Sequence, residues 1–144
     1  MRARAAIAGF AVVLASASLV SAATLDYDFY KAKVQPIFLA KRPGHAPCVM
    51  CHAEAANMLR LEKLPAGQTT WTEEQTRKNF DTVSKIVQVA DDPLTAKLLT
   101  HPLAPEAGGD AFHSGGRQFA DKNDPNYKAI AAWVKGATLA PANK

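Results

Sequence analysis

At 144 residues, with 17 Lys+Arg against 13 Asp+Glu and a formal charge of +4, the chain is sized for a single domain. Setting aside Arg2 and Arg4 takes Lys+Arg from 17 to 15 and the charge from +4 to +2, too weak a bias to argue for nucleic acid, which wants Lys and Arg clustered on one face. Its two cysteines, Cys48 and Cys51, are too close for a disulfide between them to close a stabilising loop, so their spacing points to chemistry instead.

The first segment reads as a leader. Arg2 and Arg4 form a short basic start, residues 5–20 are nearly all apolar or small, and Val20-Ser21-Ala22 or Ser21-Ala22-Ala23 supplies small residues for cleavage. That order predicts a signal peptide over residues 1–23 and export to the periplasm, with residues 24–144 as one domain. The apolar run is short and diluted by serines, whereas a membrane span wants roughly 20 apolar residues. No stable membrane insertion is expected once the leader is removed.

The spacing predicts a helix over residues 26–40, with Leu25, Phe29, Val34, Ile37 and Phe38 near one side. Pro36 inside it lacks a backbone donor and should kink it. Arg42-Pro43-Gly44 then breaks the chain. Next comes Cys48-Val49-Met50-Cys51-His52, the C-x-x-C-H sequence of c-type haem attachment. Two thiols at this spacing can add to the two vinyl groups of one haem, and His52 is then held under the iron. A thioredoxin-like pair would need a surrounding βαβ pattern. A zinc site would need a second ligand pair at suitable spacing, and a plain disulfide leaves His52 without a role.

Residues 53–64 show no clear period, and Pro65-Ala66-Gly67 is a turn. Thr72-Glu73-Glu74-Gln75 reads as a capping box, opening a helix with Thr76, Phe80, Val83 and Val87 on one stripe. Asp92-Pro93 opens a short helix carrying Leu94, Leu98 and Leu99 inward, stopped by Pro102. Residues 102–124 read as a long loop, and a loop of that length in a compact domain is usually functional or disordered. It carries His113, which favours function. Asp124-Pro125 opens a final helix with Tyr127, Ile130, Ala131 and Val134 on one face and Trp133 beside it. No strand-like alternation persists, so the fold class is all-α. The core is thin for the length, so three main helices and some short ones are expected to pack around one haem. Without it the polypeptide is expected to be poorly ordered.

Together these residues resemble the bacterial monohaem c-type cytochromes, in the branch with a His-x-Gly-Gly run in the second half. Phe29, Val34 and Pro36-Ile37-Phe38 are similar to that branch's opening helix. Leu98-Leu99, Gly108-Gly109, His113-Ser114-Gly115-Gly116 and the closing Trp133-Val134 are similar to its second half. The resemblance implies a cytochrome c-like fold around one covalent haem c, with Cys48 and Cys51 as thioether positions and His52 as proximal ligand. It also adds weight to His113 as the distal ligand.

From the residues alone the distal ligand stays open. His113, with glycines on both sides, stands first, because glycine lets backbone approach a flat ring. His101, ending a short helix, is second, and Met58, limited by its reach from His52, or no ligand at all comes last. Met50 points away from the far face, and His45 lies on the wrong side of the motif. Phe38, Trp71, Phe80, Phe112, Phe119 and Trp133 are available as walls around the ring. Arg117, Arg60 and Lys63 could pair with propionates, and Lys41-Arg42 could form a docking patch for an acidic partner.

No nucleophile–base pair or paired carboxylates appear. The expected function is therefore electron transfer rather than catalysis, with bis-histidine ligation and redox partner proteins as donor and acceptor. One rival is a haem enzyme or gas sensor with an open or displaceable sixth position. Another is a small cytochrome subunit of a larger oxidoreductase.

Overall fold

The computed structural model describes residues 24–53 and 55–140; the leader read at residues 1–23 lies outside them. The described residues are helical and contain no strand, only the isolated bridges Arg42–His45 and Leu103–Phe119, so the all-α expectation holds. Among them no helix is long and apolar enough to cross a membrane.

The first helix starts where the Asp26 carboxylate accepts the Phe29 N–H at 2.6 Å. It runs without a break through Tyr27–Phe29, a π-helical turn at Tyr30–Val34, and Gln35–Leu39. The π turn shows how Pro36 is accommodated. The Gln35 N–H reaches back five residues to the Tyr30 carbonyl, so the ladder slips by one residue just ahead of the position that has no N–H to place. The widened turn also brings Tyr30 inward beside Val34, both fully buried, although the expected apolar stripe did not include Tyr30.

Tyr30 is the hub of the core. Its ring centroid lies 5.4 Å from Trp133, 5.3 Å from Phe80 and 6.4 Å from Phe38, in tilted and edge-on arrangements that suit aromatic quadrupoles. Trp133 sits in the closing helix Pro125–Val134, capped by Asp124, and its indole N–H donates to the Asp26 carbonyl at 2.8 Å, across 107 positions of sequence. The first and closing helices therefore join directly, not only through whatever the domain holds.

The long helix Glu73–Gln88 opens on the capping box, with both reciprocal bonds between Thr72 and Gln75 present. Its buried stripe contains Thr76, Val83 and Val87 as expected, while Phe80 is only half-buried. Asn79 is also fully buried, because residues 59–63 lie along this helix. The Asn79 side-chain oxygen accepts the Glu62 N–H at 2.7 Å, the Trp71 indole donates to the Glu62 carbonyl at 2.7 Å, and the Gln75 amide donates to the Lys63 carbonyl at 2.9 Å. The aperiodic stretch after the motif is thus fastened at three points.

The expected short helix is a 3-10 turn, Pro93–Thr95, followed by Lys97–Thr100. Leu98 and Leu99 are buried, but Leu94 is exposed: the tight three-residue turn faces Leu94 outward and turns Ala96 inward instead. Residues 102–124 do form a long connection, but a pinned one. The Ala104 N–H bonds the Phe119 carbonyl at 2.9 Å, the Phe119 N–H bonds the Pro102 carbonyl at 3.1 Å, and the Asp110 N–H returns to the Thr100 carbonyl at 2.9 Å. Gly109 is obligatory in this weave, since a Cβ there would fall 1.9 Å from the Leu103 carbonyl oxygen.

Candidate functional site

A cavity of about 800 Å³ lies between these elements, in the range of pockets that hold a large ligand. Ile37 and Phe38 of the first helix, Ile86 of the long helix, Leu98, Phe119 and Ile130 give it apolar walls. Cys48, Cys51 and His52 line it, and so do His101, His113 and Met58. The fold therefore brings to one cavity every residue the sequence put forward as an attachment point or an axial ligand.

Cys48 and His52 begin and end the five-residue helix Cys48–His52, which packs against Gln35–Leu39 of the first helix. Both cysteines are free thiols. Burial pushes the Cys48 thiol pKa up, against smaller opposing pulls from a backbone hydrogen bond and from Arg42; Cys51 is exposed.

His52 Nδ1 lies 2.8 Å from the Leu59 carbonyl oxygen. A carbonyl can only accept, so Nδ1 carries the proton and donates, leaving Nε2 as the nitrogen with a lone pair in the neutral ring. The Leu59 carbonyl is held in turn by the fastened segment, which also closes on the motif itself where the Leu61 N–H meets the His52 carbonyl at 3.1 Å.

His113 repeats this arrangement from the opposite wall. Its Nδ1 donates to the Gly116 carbonyl at 2.6 Å, again leaving Nε2. Burial pushes its pKa below the usual histidine value, against the raising effect of the Gly116 bond and with small contributions from the neighbouring charges. That shift favours the neutral ring, the form that binds metals. Gly115 lets the loop lie against the ring, since a Cβ there would come within 3.1 Å of the His113 Cε1. The His52 and His113 rings lie 6.3 Å apart, centroid to centroid, with planes inclined by only 19°.

That spacing has a chemical meaning. Two imidazoles sharing one metal ion from opposite sides have centroids about 6 Å apart, from two metal–nitrogen bonds of about 2 Å and roughly 1 Å more inside each ring. Each histidine also donates its other N–H to a carbonyl, the outer-shell partner usual for metal-binding histidines. Among the described residues, no three His, Cys, Asp or Glu side chains converge as a metal cage of their own. The donor set is two imidazoles with near-parallel planes, each with Nε2 left free of a backbone partner, and two thiols at the cavity wall.

His101 also borders the cavity, 4.8 Å from the His113 ring in an edge-on arrangement. Its Nδ1 donates to the Asp110 carboxylate at 2.8 Å, and Lys97 pairs with the same oxygen at 2.8 Å. Lys97 and His101 hold the Asp110 carboxyl below its usual range. Met58 reaches the cavity but is largely exposed, and Met50 faces solvent. The ring of His45 lies beside Gly116.

Peripheral side chains also have defined partners. Arg117 pairs with Glu106 at 3.0 Å. Arg42 pairs with Asp124 and lies over the Phe119 ring at 5.1 Å, so it braces the wall rather than forming a docking patch with Lys41. Of the suggested aromatic walls, Phe38 and Phe119 line the cavity, while Trp71, Phe80 and Trp133 do not and Phe112 is exposed. Of the supporting groups, Leu59, Asn79 and Asp110 were not picked out from sequence, and Trp71 and Gly116 were picked out for other roles. Two act through backbone carbonyls, which no side-chain pattern advertises, and the others are brought in by folds of the chain.

No family model, curated protein or solved structure matches this chain.

Proposed function

We propose that the protein is an electron carrier with one haem c bound through Cys48 and Cys51, and with His52 and His113 as its axial ligands. The observation that carries this reading is the pair of near-parallel imidazoles 6.3 Å apart, each with Nδ1 tied to a backbone carbonyl, across a cavity that also exposes both thiols.

The bound group would supply one-electron redox chemistry, with a potential set by axial ligands, burial and hydrogen bonds. The chain's own part is to keep that environment the same in both redox states. The Leu59 and Gly116 carbonyls fix the proton of each histidine on Nδ1. Ile37, Phe38, Ile86, Leu98, Phe119 and Ile130 exclude water from the cavity walls. The half-buried and exposed edge near Cys48 and Cys51 is the side on which a redox partner would approach. The predicted leader adds a compartment to this reading, the periplasm, where covalent haem attachment and a partner protein would both be found.

The test is the mass and spectrum of the exported protein. A mass increased by one haem, a low-spin spectrum, no sulfur–iron charge-transfer band in the red, and no carbon monoxide binding to the reduced form are expected. A mass without haem overturns the proposal. Rapid carbon monoxide binding replaces the carrier reading with a sensor or enzyme that has an open sixth position.

A further inference from the structure

Resting on that reading, we propose that the distal side holds two interchangeable ligands: His113 is resident, and His101 is a built-in substitute that takes the same position when His113 withdraws. The structure places both rings on the cavity, 4.8 Å apart, closer to each other than His113 is to His52 at 6.3 Å. The second imidazole is half-exposed, yet it lies within a ring's width of the first and on the same cavity, which puts a second nitrogen donor beside the resident one.

The chemistry of His101 suits a ligand. The Asp110 carboxylate accepts from its Nδ1, which leaves Nε2 as the remaining donor atom. A carboxylate behind a histidine orients the ring and raises its basicity as a ligand. The arrangement is braced independently of any bound group: Lys97 bonds Asp110, and the Asp110 N–H bonds the Thr100 carbonyl. His113 is held more locally, through Gly116 three residues on. Because Asp110 is only three positions before His113, release of the loop carrying His113 leaves the anchored Asp110–His101 pair in place beside the vacated position.

The exchange breaks one iron–nitrogen bond and forms another, with no net transfer of electrons or protons. Both endpoints are bis-histidine, so the protein keeps a six-coordinate low-spin state across a movement of the loop. The two states differ in what stands behind the distal ring, a neutral carbonyl for His113 and an anion for His101. The more basic, anion-backed ligand lowers the potential.

The test compares the haem-loaded wild type with His113→Ala, His101→Ala and the double variant, by mass, absorption and paramagnetic resonance. His113→Asn is a companion variant that retains an N–H for the Gly116 carbonyl should the loop collapse in His113→Ala. The single His113 variants are expected to remain low-spin with changed g-values and a lower potential. His101→Ala should leave the wild-type g-values in place, and only the double variant should turn high-spin and become low-spin again with added imidazole. A high-spin His113→Asn with intact haem and helical content overturns the exchange but not the carrier reading. Wild-type g-values retained in His113→Ala would make His101 the resident ligand and also overturn it. A product without haem would instead remove the reading on which the exchange rests.

Discussion

The two histidines that face each other across the cavity are held in different ways. His52 ends a helix, and the carbonyl its ring depends on belongs to a segment sewn to the long helix by Asn79, Trp71 and Gln75. His113 sits in a loop, and its carbonyl partner lies three residues on in the same loop. One ring is fixed by the fold, the other by a local turn. Local openings of low cost come from regions with few long-range ties, so the ring with the more local tie, His113, is the one expected to open first.

The largest expected effect tests whether either side stands without a bound group. If the cavity holds a haem as proposed, the double variant Cys48→Ala, Cys51→Ala should lose most of its helical far-UV circular dichroism, because the apolar walls would lose what they pack against; a native-like spectrum would show that the direct contact of first and closing helices suffices. Next is Gly109→Ala on the loop side. A Cβ 1.9 Å from the Leu103 carbonyl forces the backbone apart at a cost of about 3 kcal/mol, read as a lowered urea midpoint together with disturbed signals of His101. On the fastened side, Asn79→Ala removes the partner of the part-buried Glu62 N–H at a cost of about 1 to 2 kcal/mol. It should shift the potential through His52 while leaving the His113 loop unchanged. Trp71→Phe keeps the ring and removes one hydrogen bond, for about 1 kcal/mol and a smaller potential shift in the same direction.

The smallest effect concerns acid. Burial raises the Asp124 carboxyl, but Arg42 and the Tyr127 and Asn126 N–H groups outweigh it and hold the pKa below its usual value. The folded state therefore gains stability from the ionised form above the unfolded pKa, and loses it as pH falls through the lowered folded value. Asp124→Asn should lower stability in the neutral region and flatten the acid limb of a stability–pH curve, so that the variant and the wild type converge at low pH; an unaltered acid limb would place the sensitivity elsewhere.

Much of this was legible in the sequence where a signal is local. The capping box at Thr72, the Asp92 and Asp124 caps with their following prolines, and the Cys48–His52 motif each act within a few residues. The convergence of His113 with His52 was only an expectation there, because it depends on a connection folded back through bonds from Ala104, Phe119 and Asp110. Tyr30 was missed because the π turn shifts the helical register that a regular period assumes. Leu94 was misplaced because a 3-10 turn presents a different face from the α-helix it was read as. Arg42 was read as surface because its partner, Asp124, is 82 positions away.

The indole bond from Trp133 back to Asp26 has a bearing on how the molecule is put together. The closing helix supplies Ile130 to the cavity and clamps the start of the domain, so the last wall can be set only after the whole chain is available. A polypeptide emerging from its amino end presents Cys48 and Cys51 while that side is still open. On the proposed reading, haem attachment would come first and closure second, with the Trp133–Asp26 bond as the latch that ends the window for loading.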